Sequence, residues 1–231
     1  KGVLFMSTKQ VRVALFDFDQ TFYKYETFSL LQNHLKHDEQ LKDRYKRFFN
    51  PTFLPYMQYK IKLMQPEKAR RIAMQNYSSA LDGVSEEDVR SFFRKLKPTI
   101  EEGVNKQLAN LVEENAKNGI RSILVSGAFI PFLEEVTGDY AFDAILGSDI
   151  PFVDGKVDGN ATITHVQSDL KVDAIHDILQ GVDVDWENSF AFSDRYSDLP
   201  MLELVGNPAV VNAEPRLKKH ALERGWIYID A

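Results

Sequence analysis

Val11-Arg12-Val13-Ala14-Leu15-Phe16 is a short, β-branched and apolar run, and it ends at Asp17-Phe18-Asp19-Gln20-Thr21. Such a run reads as a buried strand. Three later runs read the same way, at residues 122–125 (SILV), 189–192 (SFAF) and 209–211 (AVV). Each is followed by turn-forming residues and then by a helical pattern. Strands alternating with helices predict an α/β fold with a parallel sheet covered on both faces. In such sheets ligands bind beyond the carboxyl ends of the strands, near a topological switch point. The two acids after Phe16 stand at such an end.

Between the first and second of these strands the pattern changes. From about residue 26 to 97 no strand is evident. Residues 26–36 and 66–81 carry apolar side chains at helical spacing, and Pro66 suits a first helical turn. Residues 85–97 open with Ser-Glu-Glu-Asp, an N-cap followed by acids that complement the helix dipole. Pro51, Pro55, Pro66 and Pro98 punctuate the region. We read residues 22–98 as a helical insert of about four helices, and residues 1–21 and 99–231 as the core. Residues 99–118 are expected to form one helix returning to that core, stopped by Gly119. The insert is rich in aromatics, among them Phe28, Phe48, Phe49, Phe53, Tyr56 and Tyr59. They read first as the interior of a small bundle; the sharper alternative is that some line an apolar pocket. Asp154-Gly155 between short apolar runs predicts a structural hairpin.

Bulk properties narrow the function classes. The chain has 231 residues, 44% hydrophobic and 27% charged, which is ordinary for a globular protein. A net charge of -6 argues against a broad nucleic-acid surface. The chain has no cysteine, so thiolate nucleophiles and Cys-ligated metals are out of the question. No run is long and apolar enough for a membrane span, and no segment is ordered like a signal peptide. A cytoplasmic location is the expectation. Met6 is a candidate initiator, with residues 1–5 read as a remnant ahead of it. His34, His37, His165, His176 and His220 show no zinc-ligand spacing.

Four signals carry chemistry. Asp17 and Asp19 are crowded carboxylates, which favour a cation or a retained proton. Ser126-Gly127 follows the second strand and can offer a hydroxyl and backbone N–H groups to an anion. Lys171 falls in the first turn of an expected helix, where a cation is unfavourable unless it meets an anion. Asp194 and Asp198 straddle the turn after the strand at 189–192, and hard oxygen donors of this kind suit magnesium.

Taken in order, Asp-x-Asp-x-Thr, Ser, Lys and Asp-x-x-x-Asp resemble the haloacid dehalogenase-like (HAD) superfamily. The match covers nearly the whole chain outside the insert. The Phe-Asp-Phe-Asp-x-Thr start, Val-Ser-Gly-x-Phe and the helical insert look most like the phosphoserine phosphatase-like branch (subfamily IB), which carries a type 1 helical cap. The resemblance implies a Rossmann-like core and a magnesium-dependent phosphatase that hydrolyses a small phosphorylated metabolite through an aspartyl-phosphate intermediate. It implies Asp17 as nucleophile and Asp19 as general acid and base. Magnesium (Mg2+) would be held by Asp17, the backbone carbonyl of Asp19 and Asp194. Ser126, Gly127 and Lys171 would hold the phosphoryl oxygens. Thr21 closes the first motif, and Asp198 would sit near the metal or orient Lys171.

The chain departs from that branch in places. Arg195-Tyr196-Ser197 stands where phosphoserine phosphatases look like Gly-x-Asn, and Arg195 could narrow the site or add a phosphate contact. Glu26 corresponds to a substrate-binding Glu in that resemblance; it also opens a helix, and the alternative reading is simple complementation of the helix dipole. No arginine matches the one used for the substrate carboxylate; Lys60 and Lys62 are stand-ins, with solvated lysines as the plainer reading. Two other functions compete with hydrolysis. One is phosphotransfer from the same intermediate to an alcohol, and the other is phosphate-ligand binding without turnover.

Overall fold

The computed structural model describes residues 10–230, so the reading of residues 1–5 lies outside the described residues. Six parallel strands form one sheet in the order β3-β2-β1-β6-β7-β8. They are β1 (Val13–Phe16), β2 (Arg121–Phe129), β3 (Ala144–Ser148), β6 (Phe190–Ser193), β7 (Asn207–Val211) and β8 (Ile227–Ile229). Two short antiparallel strands, β4 (Phe152–Val153) and β5 (Lys156–Val157), make a separate hairpin. All four strands read from the sequence are present; β3 and β8 were not anticipated.

β1 is central and buried on both faces. Val13 and Leu15 join the apolar layer of one face, while Ala14 and Phe16 join that of the other. That explains its unbroken apolar run, since a parallel strand covered on both sides does not alternate with polar residues. β1 pairs with β2 on one side and β6 on the other. Successive strands then depart in opposite directions, so the switch point lies at the carboxyl ends of β1 and β6.

Between β1 and β2 lie six α-helices, of which the first five are α1 (Thr27–His37), α2 (Tyr45–Lys60), α3 (Pro66–Ala80), α4 (Glu86–Arg94) and α5 (Lys97–Gly103). α2 runs through Pro51 and Pro55, two of the prolines that punctuate this region of the sequence. Packing against α3 supplies what the missing N–H groups remove, and Thr52 Oγ1 donates to the carbonyl of Phe48 at 2.7 Å. The expected single helix over 99–118 is two, α5 and α6 (Lys106–Lys117). The break has a local cause. Asn105 caps α6 by accepting from the N–H groups of Gln107 and Leu108, and Val104 pairs with Tyr23 in an antiparallel bridge.

The remaining helices are α7 (Ile130–Thr137), α8 (Asp169–Ile178), α9 (Leu199–Leu202) and α10 (Pro215–Arg224). No helix among the described residues is long and apolar enough to cross a membrane. The expected hairpin is present, with Asp154 and Gly155 at φ 50° and 71° in its turn. It does more than close a loop. Val157 exchanges backbone hydrogen bonds with Gly83 and Val84, and Glu86 N–H donates to Gly155. Ser79 Oγ donates to the carbonyl of Gly159 at 2.6 Å, and Gln75 Nε2 to that of Ala161 at 2.9 Å. The segment from 152 to 163 therefore fastens α3 and α4 to the sheet domain.

The aromatics of the insert divide. Phe48, Phe92, Phe93 and Tyr77 are buried in a core continuous with Phe129 and Phe132. Phe49, Phe53, Tyr56 and Tyr59 are 39–50% exposed, so the bundle-interior reading holds for only part of the set.

Candidate active site

The chemistry-bearing residues converge where β1, β2 and β6 end. Asp17 follows β1 directly, and its N–H donates to the carbonyl of Phe192 in β6 at 2.9 Å. The bond locks the backbone of Asp17 against the neighbouring strand. Lys171, in the first turn of α8 as expected, reaches across to Asp17. Its Nζ lies 2.6 Å from Asp17 Oδ1 and 2.8 Å from Asp198 Oδ2. Asp198 also accepts from Ser193 Oγ at 2.8 Å, so two donors from different elements fix its carboxylate. Asp17, Lys171, Asp194 and Asp198 are each only 4–5% exposed.

Ser126 lies in β2, where the pairing with β3 shifts register between Val125 and Phe129. A bulge of this kind re-aims side chains and interrupts the ladder. Ser126 Oγ accepts from the N–H of Ala128 at 3.1 Å. Gly147 permits the tight approach of β3 here, because a Cβ at that position would meet the Ala128 carbonyl oxygen at 2.7 Å. Ser148 Oγ donates to the Gly127 carbonyl at 2.8 Å and lies 2.7 Å from His165 Nδ1. That network assigns the proton of the neutral ring to Nδ1 and leaves Nε2, which has no partner, as a buried lone pair.

Burial pushes His165 down to about 4, with Arg70 adding to the effect. Its folded value is thus below the ordinary 6.5, so the unfolded chain binds the extra proton first. Stability from this group is complete above pH 6.5 and is lost as pH falls from there to about 4, by roughly 3 kcal/mol in all. The expected result is a urea midpoint that drops between pH 7 and 4.5 in the wild type. The drop should be shallower in His165→Asn, and equal slopes would exclude the histidine as its source.

Asp19 is half-buried, and its Oδ1 accepts from Thr27 N–H at 2.9 Å, the first residue of α1. Thr21 is buried, and its hydroxyl has no partner. Glu26 immediately precedes α1 but does not cap it. Instead its carboxylate accepts from Gln20 Nε2 and Arg70 Nη2, both at 2.9 Å, and from Arg195 Nη2. Arg195 Nε is also 3.6 Å from Asp194 Oδ2. The Arg195 side chain thus ties the loop after β6 to the start of the helical insert. Lys60 and Lys62 are exposed and stand outside the cavity lining; Lys60 sits over the ring of Tyr56 at 5.3 Å. Arg70, on α3, is the residue that the sequence reading missed. A lone arginine on a polar helix carries no pattern, and only its ion pair with Glu26 distinguishes it.

Three buried carboxylates, Asp17, Asp194 and Asp198, surround one ammonium. Burial first, then repulsion from Asp17 and Asp198, pushes Asp194 up to about 9. Burial likewise raises Asp17, to about 6, against the opposing pull of Lys171. Asp194 Oδ1 is buried with no partner. An excess of negative charge with an orphaned oxygen fits a divalent cation. Among the described residues there is no ready-made cage of three or more His, Cys, Asp or Glu side chains.

Above this floor opens a cavity of about 610 Å³, lined at its base by Asp17, Asp19, Ser126, Gly127, Lys171 and Asp198. Gln167 and Ser168 also line it, and Ser168 is held at φ 49°. Left-handed backbone at a non-glycine residue is a strained conformation often found at functional sites.

Comparison with known proteins bears on this arrangement. A family model described as haloacid dehalogenase-like hydrolase matches residues 14–203. The chain is 27% identical over 124 residues to the "Inhibition of morphological differentiation protein" of Streptomyces azureus, covering 54% of this chain and 45% of that one. It spans less than half the length of the first curated relatives it matches. A protein of unknown function from Bordetella pertussis Tohama I superimposes with a TM-score of 0.77 at 20% identity, covering 96% of this chain and 99% of that one. A phosphoserine phosphatase solved as a phospho-aspartyl intermediate analogue superimposes with a TM-score of 0.60 at 18% identity, covering 96% and 95%. Both structures share the fold of this chain.

Proposed function

The chain belongs to the haloacid dehalogenase-like hydrolase family, and from that premise we propose that it is a magnesium-dependent phosphatase acting on a small-metabolite phosphomonoester. The observation that carries the reading is the buried Asp17–Lys171–Asp198 contact at the floor of a cavity that Asp19 and Ser126 also line. A carboxylate held 2.6 Å from an ammonium, beside an anion-binding serine, is equipped to meet a phosphoryl group. The solved phosphoserine phosphatase named above, described as a phospho-aspartyl intermediate analogue, supports the same chemistry by analogy.

In this reading residues 1–21 and 99–231 make the catalytic core, and 22–98 form a helical cap. An Asp17 carboxylate oxygen attacks phosphorus and the ester oxygen departs, taking a proton from Asp19. Asp19 then takes a proton from a water molecule. The resulting hydroxide attacks phosphorus, orthophosphate leaves, and the Asp17 carboxylate is restored. Ser126 Oγ, Gly127 N–H and Lys171 Nζ hold the phosphoryl oxygens and stabilise charge in the transition state. Asp198 acts through Lys171, holding its ammonium toward Asp17. Asp17, the Asp19 carbonyl and Asp194 would hold magnesium, whose charge lets a carboxylate approach a phosphate dianion.

Hydrolysis of an aryl phosphate should require added magnesium and cease on chelation, with recovery when magnesium is returned. Turnover that is indifferent to the chelator would overturn the metal-dependent reading.

A further inference from the structure

We infer that the site takes phosphomonoesters whose alcohol is bulky and apolar, with that group lying on the aromatic wall of α2. The inference rests on the phosphatase reading for its chemistry and on the cavity for its specificity. Phe49, Phe53, Tyr56 and Tyr59 line the same cavity that has Asp17 and Lys171 at its base, yet they are 39–50% exposed. They form a ladder along one helix. Tyr45 and Phe49 stack with centroids 5.6 Å apart, Phe49 and Phe53 follow at 5.6 Å, and Tyr56 and Tyr59 at 6.5 Å. Phe48, one position away, is buried against Tyr77 and anchors the helix. A helix that buries one aromatic and leaves four open to a cavity holds apolar surface that only a ligand can cover. Exposed apolar patches lining a concave site mark ligand contact.

The charged groups between floor and wall point the same way. A zwitterionic alcohol such as serine needs a free anion for its ammonium and a free cation for its carboxylate. Glu26 is already matched by Arg70, Arg195 and Gln20. Glu67 also lines the cavity, but Arg70, Arg195 and Lys171 are all paired, so the carboxylate of a zwitterion would have to break a contact, whereas an apolar group passes beside them to the rings. A cavity of about 610 Å³ is also ample for a ring system or a chain beyond the phosphate.

Phosphonates test the wall apart from catalysis, because they carry a similar anionic head on a carbon bond that the enzyme does not cleave. Binding of ethylphosphonate, decylphosphonate, naphthylmethylphosphonate and the phosphonate analogue of phosphoserine would be measured by calorimetry on the full chain with magnesium. The expected result is that decyl- or naphthylmethylphosphonate binds roughly a hundredfold tighter than ethylphosphonate and than the amino-acid analogue. A gain for only one of the two identifies the alcohol as chain-like or as aromatic. Phe53→Ser should shrink that preference with an unchanged melting curve, because the ring is half exposed and its loss leaves no cavity in the core. Equal binding of ethyl and decyl compounds, or tighter binding of the amino-acid analogue, overturns the inference. Hydrolysis of acetyl phosphate reads the catalytic assignment by itself, so failure of one reading is distinguishable from failure of the other.

Discussion

Asp17→Asn is expected to lower turnover of an aryl phosphate by roughly 10³-fold or more, with the fold retained. Asparagine has nearly the same shape, so the packing around β1 is kept. Its amide is too poor a nucleophile to displace an alcohol from phosphorus. The stability effect should be small because two contributions oppose. The substitution weakens the 2.6 Å contact with Lys171. It also removes a buried charge whose burial and whose repulsion from Asp198 and Asp19 together raise its carboxyl to about 6. Steady-state turnover with magnesium and a thermal melt would be measured side by side. A variant that retains wild-type turnover would mean the nucleophile is another group. A variant that is inactive and also unfolded would be replaced by Asp17→Glu, which keeps the charge and displaces the attacking oxygen.

Lys171→Met is expected to cost both activity and stability. The ammonium is 4% exposed and is the shared partner of Asp17 and Asp198. Burial opposes its charge, but the two carboxylates more than offset this and raise its affinity for the proton. Removing it leaves buried carboxylates with no counter-charge beside a third, Asp194. Breaking one side of a buried pair typically costs about 3–5 kcal/mol. For a chain of this size that corresponds to a melting temperature lower by roughly 10 °C. Turnover should fall with it, since the phosphoryl oxygens lose their cation. Adding Asp198→Asn to Lys171→Met should recover part of the stability and none of the turnover. That split separates a charge-balance role from a catalytic one. A Lys171→Met protein that melts like the wild type would show that the contacts contribute nothing net.

Much of this arrangement is legible along the chain. Asp17, Lys171 and Asp194 each stand at a strand end or a first helical turn, whereas Ser126, expected after its strand, lies within β2 at the bulge where its regular pairing with β3 is interrupted; a strand's end is set by a few local residues. In a parallel α/β sheet those ends must share one edge, so reading the strands also gathers the residues. The hairpin at Asp154-Gly155 was legible for the same reason, because a two-residue turn fixes its own geometry. β3 and β8 were not, although β3 is as long as β7 and only β8, at three residues, is short. Gly147 weakens the pattern of the first, and the second is an edge strand with Ile227 half exposed. The helix through Pro51 and Pro55 was not legible, because two prolines lower local helix propensity and only tertiary packing overrides it.

The chain by itself therefore determined four of the sheet's six strands and which residues gather at the floor, since these follow from local periodicity and chain direction. The tertiary structure alone decided what those residues meet. The contact of Lys171 with Asp17 spans 154 positions and that of Arg70 with Glu26 spans 44, and no local pattern encodes a partner so distant. It also decided which aromatics of the insert are core and which face the cavity. Phe48 and Phe49 are adjacent and chemically identical, and only the packing of α2 against α3 sends one inward and leaves the other at the wall.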